Sequence, residues 1–153
     1  MFRAALEVMG ELYASPLGTC VLQAKEVPPR PPGLPDEEGA YNETPYDRRG
    51  WCRFEQAVTI EAASACSAFP KVQNALRLVT TPKFLRIDDP DDLALDRMPT
   101  AAPIEIQLEE DVAAAIEAAA FTGKGDRDVV MKLFDDYCQR LRSMTWRANR
   151  WVA

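Results

Sequence analysis

Glu55 shares a short segment with three arginines, Arg48, Arg49 and Arg53, and with Trp51 and Cys52. Guanidinium groups pair with phosphate oxygens, and the unpaired amides of a first helical turn add to the same field, so this segment could seat a pyrophosphate. The alternative is that Asp47, Glu55 and solvent satisfy the arginines, with Glu55 a half-exposed carboxylate on a surface helix. Trp51 has two uses as well, as a stacking platform for a base or as a large apolar packing element. Cys52 at a helix start could be a thiol of lowered pKa, but the chain has no histidine to act as its base.

The absence of histidine also removes the usual proton shuttle and the commonest zinc ligand. The acidic run Asp88, Asp89, Asp91, Asp92 and then Asp96 lacks the spacing and the closing glutamate of a calcium loop, and reads as a solvated turn and helix cap. Gly123-Lys124-Gly125 lacks the glycine spacing and the Ser/Thr of a phosphate loop, and Asp126 after it reads as an N-cap. Cys20, Cys52, Cys66 and Cys138 form no C-x-x-C pair, which favours reduced thiols used mostly as core filling, although their even number leaves disulfides open. No metal site and no resident cofactor is expected.

These residues need a scaffold. Leu6, Met9, Leu12 and Tyr13 recur at helical spacing within residues 3–13, predicting an amphipathic helix. Residues 19–23 are apolar and β-branched and predict a strand. Residues 28–45 contain six prolines, which fix φ and remove backbone donors, so an extended surface loop is expected there, either a connector or a lid over the helix that follows. That central helix is expected over residues 47–68, capped by Asp47, with Phe54, Val58, Ala62, Ala65 and Phe69 as its buried stripe. The stretch after Pro70 is ambiguous, and residues 75–79 and 83–87 could each be a strand. Residues 109–120, opening with three acids, predict a helix, and Val130, Leu133, Phe134, Tyr137 and Leu141 mark the stripe of another. Strands alternating with helices favour an α/β layered domain with a small parallel or mixed sheet flanked by helices.

The 153 residues suit one domain, expected over residues 1–144, and their formal charge of -6 disfavours a nucleic-acid partner. Residues 145–153 form a basic and aromatic tail. Together with the end of the preceding helix they carry Arg140, Arg142, Trp146, Arg147, Arg150 and Trp151, a set suited to an anionic surface or to folding back on the domain's own acids. No stretch reaches the roughly 20 apolar residues of a membrane span, so a cytoplasmic location is expected.

Two sets of residues resemble known families. Trp51-Cys52-x-x-Glu55, opening a helix after a strand and a loop, resembles the Trp-Cys-x-x-Glu segment of Toll/interleukin-1 receptor (TIR) domains. Leu12-Tyr13-Ala14-Ser15-Pro16, Arg49-Gly50-Trp51-Cys52-Arg53-Phe54-Glu55 and Phe121-Thr122-Gly123-Lys124-Gly125-Asp126-Arg127 together resemble a TIR-like group of algal and protist proteins. The TIR resemblance implies a flavodoxin-like parallel sheet wrapped by helices. It implies one of two activities: mutual binding that assembles signalling complexes, or cleavage of NAD at the nicotinamide–ribose bond by the helix-borne glutamate. The match covers about 15 residues, and the chain begins at what would be the helix after the family's first strand, so a partial domain lacking that strand is expected.

Carried over by position, Glu55 is the catalytic glutamate of the second activity, Trp51-Cys52 the structural opening of its helix and NAD the substrate, while Arg49, Trp51 and Arg53 are the ligand-binding candidates that the residue types themselves suggest. Bond cleavage develops positive charge on the ribose, which a nearby carboxylate stabilises by the electrostatics that glycosidases use, and no histidine is required. The expectation taken forward is a non-catalytic TIR-like module that binds a protein partner or a second copy of itself. Nucleotide cleavage through Glu55 and anionic-surface binding through the tail are the alternatives.

Overall fold

A computed structural model describes residues 2–15, 19–24, 26–33, 41–67, 73–74, 78, 82–87, 100–101 and 107–152, with the backbone alone described for residues 2–7, 65–67, 100–101 and 144–152. The elements run α1 (Phe2–Ala14), β1 (Val21–Ala24), a 3-10 turn η1 (Tyr46–Arg48), α2 (Gly50–Ser67), β2 (Phe84–Ile87), β3 (Thr100–Ala101), α3 (Glu109–Glu117) and α4 (Asp126–Val152).

The strands form a mixed sheet in the order β1-β2-β3. β1 and β2 are parallel, with Val21 opposite Phe84 and Ala24 opposite Ile87, and the two-residue β3 returns antiparallel against Leu85 and Arg86. Parallel neighbours need a long crossover between them, and here η1 and α2 lie within that crossover. Polar contacts fasten the start of the parallel pair. Lys83 Nζ donates to the Thr19 carbonyl and hydroxyl at 2.9 and 2.8 Å, and the Val21 amide donates to the Lys83 carbonyl at 2.9 Å.

α2 is the centre of the molecule and packs on α1, α3 and α4. The expected stripe is present, since Phe54, Val58 and Ala62 are all buried; Ala65 and Phe69 lie outside the described side chains. Burial extends beyond that stripe to Ala57, Thr59 and Ile60, as a helix enclosed on several sides requires. The buried Thr59 hydroxyl is satisfied by donating to the Glu55 carbonyl at 2.7 Å, one turn back. The main core joins Phe54 and Val58 to Val112 and Ile116 of α3 and to Val130, Phe134 and Tyr137 of α4. A smaller cluster sets Ile60 against Phe84, with Val21 beside it, and seats the sheet on α2. Together these make an α/β layered domain whose larger core lies between helices.

Several expectations are corrected. α2 begins at Gly50, because Asp47 belongs to the preceding 3-10 turn instead of capping the helix. A contact far along the chain sets that boundary: the Gly50 amide donates to the Ala120 carbonyl at 3.0 Å and the Ala120 amide donates to the Arg48 carbonyl at 2.8 Å. Asp126 is the first residue of α4, not its cap; the Val129 amide donates to the carbonyl of Gly125, which adopts a φ of +88°. On α1, Leu12 is 53% exposed, and Gly10 instead lies against the Phe54 ring and the Arg140 guanidinium. The expected acidic run at Asp88 and most of the expected strand at residues 75–79 lie outside the described residues. α4 continues as one helix through the region expected as a separate tail. No helix among the described residues is long and apolar enough to cross a membrane.

Candidate functional site

Cys52, Glu55 and Gln56 stand three and four residues apart, so the helical repeat places them on one face of α2. That face looks toward β1. Between them lies a cavity of about 270 Å³, walled on one side by the four residues of β1 and Phe84, and on the other by Tyr46, Cys52, Glu55 and Gln56. Its apolar wall follows from the cluster that seats the sheet, and its polar wall from the α2 face.

Glu55 is half-buried, and burial raises its carboxyl above the ordinary value, while a hydrogen bond with the Tyr13 side chain acts in the opposite direction. Tyr13, in the last turn of α1, is pushed up to about 12, first by burial and then by the neighbouring Glu55 charge and their hydrogen bond. The Cys52 thiol is also raised, by burial and then by Glu55, with Arg49 partly offsetting them. Cys52 is therefore a protonated thiol near neutrality, because desolvation outweighs the help of the first turn, which adds to the lack of a histidine base as a reason against a nucleophilic role. A carboxyl displaced upward is suited to exchanging a proton or to receiving a cation.

The other residues singled out from the sequence take different positions. Arg49 donates from Nε to the Thr44 carbonyl at 2.7 Å and from Nη2 to the Asn42 carbonyl at 2.6 Å, and its guanidinium covers the Tyr46 ring at 4.4 Å. It thereby ties the end of the proline-rich loop to the start of α2. Trp51 donates from Nε1 to Asp126 Oδ2 at 3.1 Å and meets Phe54 edge to face, with centroids 6.5 Å apart. Neither residue lines the cavity, and neither does Arg53, which is half-buried on α2. Arg140 pairs with Glu11 at 3.2 Å, and Arg142 pairs with Glu109. The side chains of Trp146, Arg147, Arg150 and Trp151 lie outside the description.

The sequence reading missed Tyr13, Tyr46 and Gln56. Gln56 was detectable from its helical spacing to Cys52. Tyr13 and Tyr46 approach through tertiary structure and carry no local signal.

Three segments singled out from the sequence, residues 12–16, 49–55 and 121–127, meet around this site. Tyr13 of the first reaches Glu55 of the second, Trp51 of the second bonds to Asp126 of the third, and the Phe121 ring of the third covers Gly50. Comparisons of the chain with protein-family models, with curated proteins and with solved structures give no match.

Proposed function

We propose that the chain is a non-catalytic interaction module of TIR-like, flavodoxin-like architecture. The observation that supports this reading is the use made of Arg49 and Trp51. In a nucleotide-cleaving site these would hold pyrophosphate and a base beside Glu55. Here the guanidinium of Arg49 is engaged by two backbone carbonyls and the indole of Trp51 by Asp126. Among the described residues, no arginine or lysine lines the cavity at Glu55 to attract a dinucleotide. Val8 and Leu12, one turn apart on α1, are 49% and 53% exposed and supply apolar surface of the kind that protein contacts cover.

The test combines two measurements. Nicotinamide release from NAD by the purified chain is expected to match that of Glu55→Ala and of a blank, even at high protein concentration. Sedimentation velocity over a range of concentrations is expected to show self-association that Leu12→Asp weakens. Glu55-dependent release from the parent would overturn the non-catalytic reading.

The position of Glu55 on the cavity wall favours one second reading, cleavage of the nicotinamide–ribose bond. In that reading the cavity admits only the nicotinamide end, and the pyrophosphate lies outside. Release that is lost in Glu55→Ala and Glu55→Gln alike is its signature.

A further inference from the structure

Among the described residues, the cavity between β1 and α2 is lined by one carboxylate, Glu55, and by no cation. An anion there would face Glu55 without compensation. A purely apolar ligand would leave a desolvated carboxyl with Tyr13 as its hydrogen-bonding side chain among the described residues. A metal ion needs several hard or soft ligands together, and among the described residues no group of three His, Cys, Asp or Glu side chains is placed to hold one. The remaining class is an organic cation.

We propose that this cavity binds a planar organic cation, an amidinium or guanidinium group on an apolar body, with Glu55 accepting its N–H groups. Gln23 and Gln56 also line the cavity, and each side-chain amide has a carbonyl that can accept from a head group with only donors to offer. A carboxylate takes such a fork through two parallel bonds, which a compact ammonium cannot make. Val21 and Phe84 supply the apolar wall for the body of the ligand, with Tyr46 at the edge of the cavity. The site goes beyond the interaction reading and stands whether or not the chain cleaves a nucleotide.

Benzamidine is the first probe, with benzoate as its anionic counterpart and N-acetylargininamide as the form in which a protein would present the group. Titrations followed by NMR of the labelled chain are expected to show saturable one-to-one binding of benzamidine or N-acetylargininamide, with shifts at residues of β1 and the first turns of α2, and no binding of benzoate. Tighter binding of benzamidine assigns the site to a small molecule, and tighter binding of N-acetylargininamide assigns it to an arginine side chain. Glu55→Gln keeps shape and removes charge, and should weaken binding about ten- to hundredfold, the value of a charge-assisted pair. Gln23→Phe, on the face of β1 that Val21 turns toward α2, fills the cavity and should abolish binding with the far-ultraviolet circular dichroism unchanged. Failure of both cations to bind the folded parent, equal binding to Glu55→Gln, or preference for benzoate would each overturn the proposal. None of these readouts depends on nicotinamide release or on self-association.

Discussion

The indole nitrogen of Trp51 donates to Oδ2 of Asp126 across 3.1 Å and joins two segments 75 residues apart in the chain. The bond anchors the first turn of α2 to the first turn of α4. A partly buried donor that loses a charged acceptor forfeits more than a neutral pair would. Trp51→Phe keeps most of the ring and removes the donor, and is expected to lower the unfolding free energy by about 1–2 kcal/mol. Asp126→Ala should cost a similar amount. The double variant should cost less than the sum of the two, with a coupling of about 1 kcal/mol read from urea midpoints. Strict additivity would show that the bond contributes nothing to stability.

The same pair shows what could and could not be read from the sequence. Both residues stood out by type, Trp51 as packing or stacking surface and Asp126 as a helix cap; Trp51 does pack on the core beside Phe54, but its bond to Asp126 has no local signal because the partner is distant in the chain. Local spacing identified the buried side of α2 through Phe54, Val58 and Ala62 and that of α4 through Val130, Phe134 and Tyr137, since helical period alone determines which residues share a face. It also located β1 and β2. It failed at Leu12, because periodicity shows which residues align but not which neighbour they meet; Gly10, with no side chain, allows the close approach to Phe54 instead. At the candidate site Glu55 was legible as a carboxylate on a helix. Its burial against Tyr13, and the engagement of Arg49 by the Asn42 and Thr44 carbonyls, depend on how separate elements dock.

Glu55 makes stability depend on pH. Its carboxyl is raised above the ordinary 4.5 chiefly by burial. Between 4.5 and the raised value the folded chain holds a proton that the unfolded chain has released. The contribution is therefore full below 4.5 and is lost as pH rises through the folded value. Glu55→Gln retains an acceptor for Tyr13 and cannot ionise. It should be more stable than the parent at neutral pH, with the difference vanishing on acidification below 4.5. Urea midpoints measured across that range check the sign, and a Glu55→Gln chain less stable than the parent at neutral pH would contradict it.

Tyr13 provides the alkaline counterpart. Its hydroxyl is pushed from 10 to about 12 by burial and by Glu55. The unfolded chain releases this proton first, so stability present below 10 is lost as pH rises toward 12. In an ultraviolet absorbance titration, one phenolate should appear near 12 in the parent and be missing from Tyr13→Phe. In Glu55→Gln it should ionise earlier, because the neighbouring charge is gone.

The thiols should separate by rate. Cys20 is exposed, Cys52 is half-buried with a raised pKa, and Cys138 is buried and pushed up to about 11. The thiolate is the reactive form, so at neutral pH an aromatic disulfide reagent should modify Cys20 first. In a Cys66→Ser background, Cys20→Ser should remove the fast phase. A fast phase that persists and disappears instead in Cys52→Ser would restore the idea of an activated thiol at the start of α2.

Gly50 is held to glycine by packing. It is buried, and a Cβ built on it would fall inside the Phe121 ring. The ring has little room to move away: the Ala120 amide and carbonyl are bonded to Arg48 and Gly50, and Arg127 lies over Phe121 with its guanidinium carbon 5.7 Å from the ring centroid while donating to the Ala119 carbonyl at 3.3 Å. A rigid neighbour turns one added methyl into overpacking, so Gly50→Ala is expected to cost about 2–3 kcal/mol, although alanine is the better helix former. Phe121→Ala should be destabilising alone and should relieve most of the Gly50→Ala penalty, because the space vacated by the ring accepts the methyl group. Calorimetric melting of the four chains measures that coupling. A Gly50→Ala chain that melts at or above the parent temperature would mean that the bonds between Ala120 and the start of α2 yield easily, and that the convergence of these segments is loose.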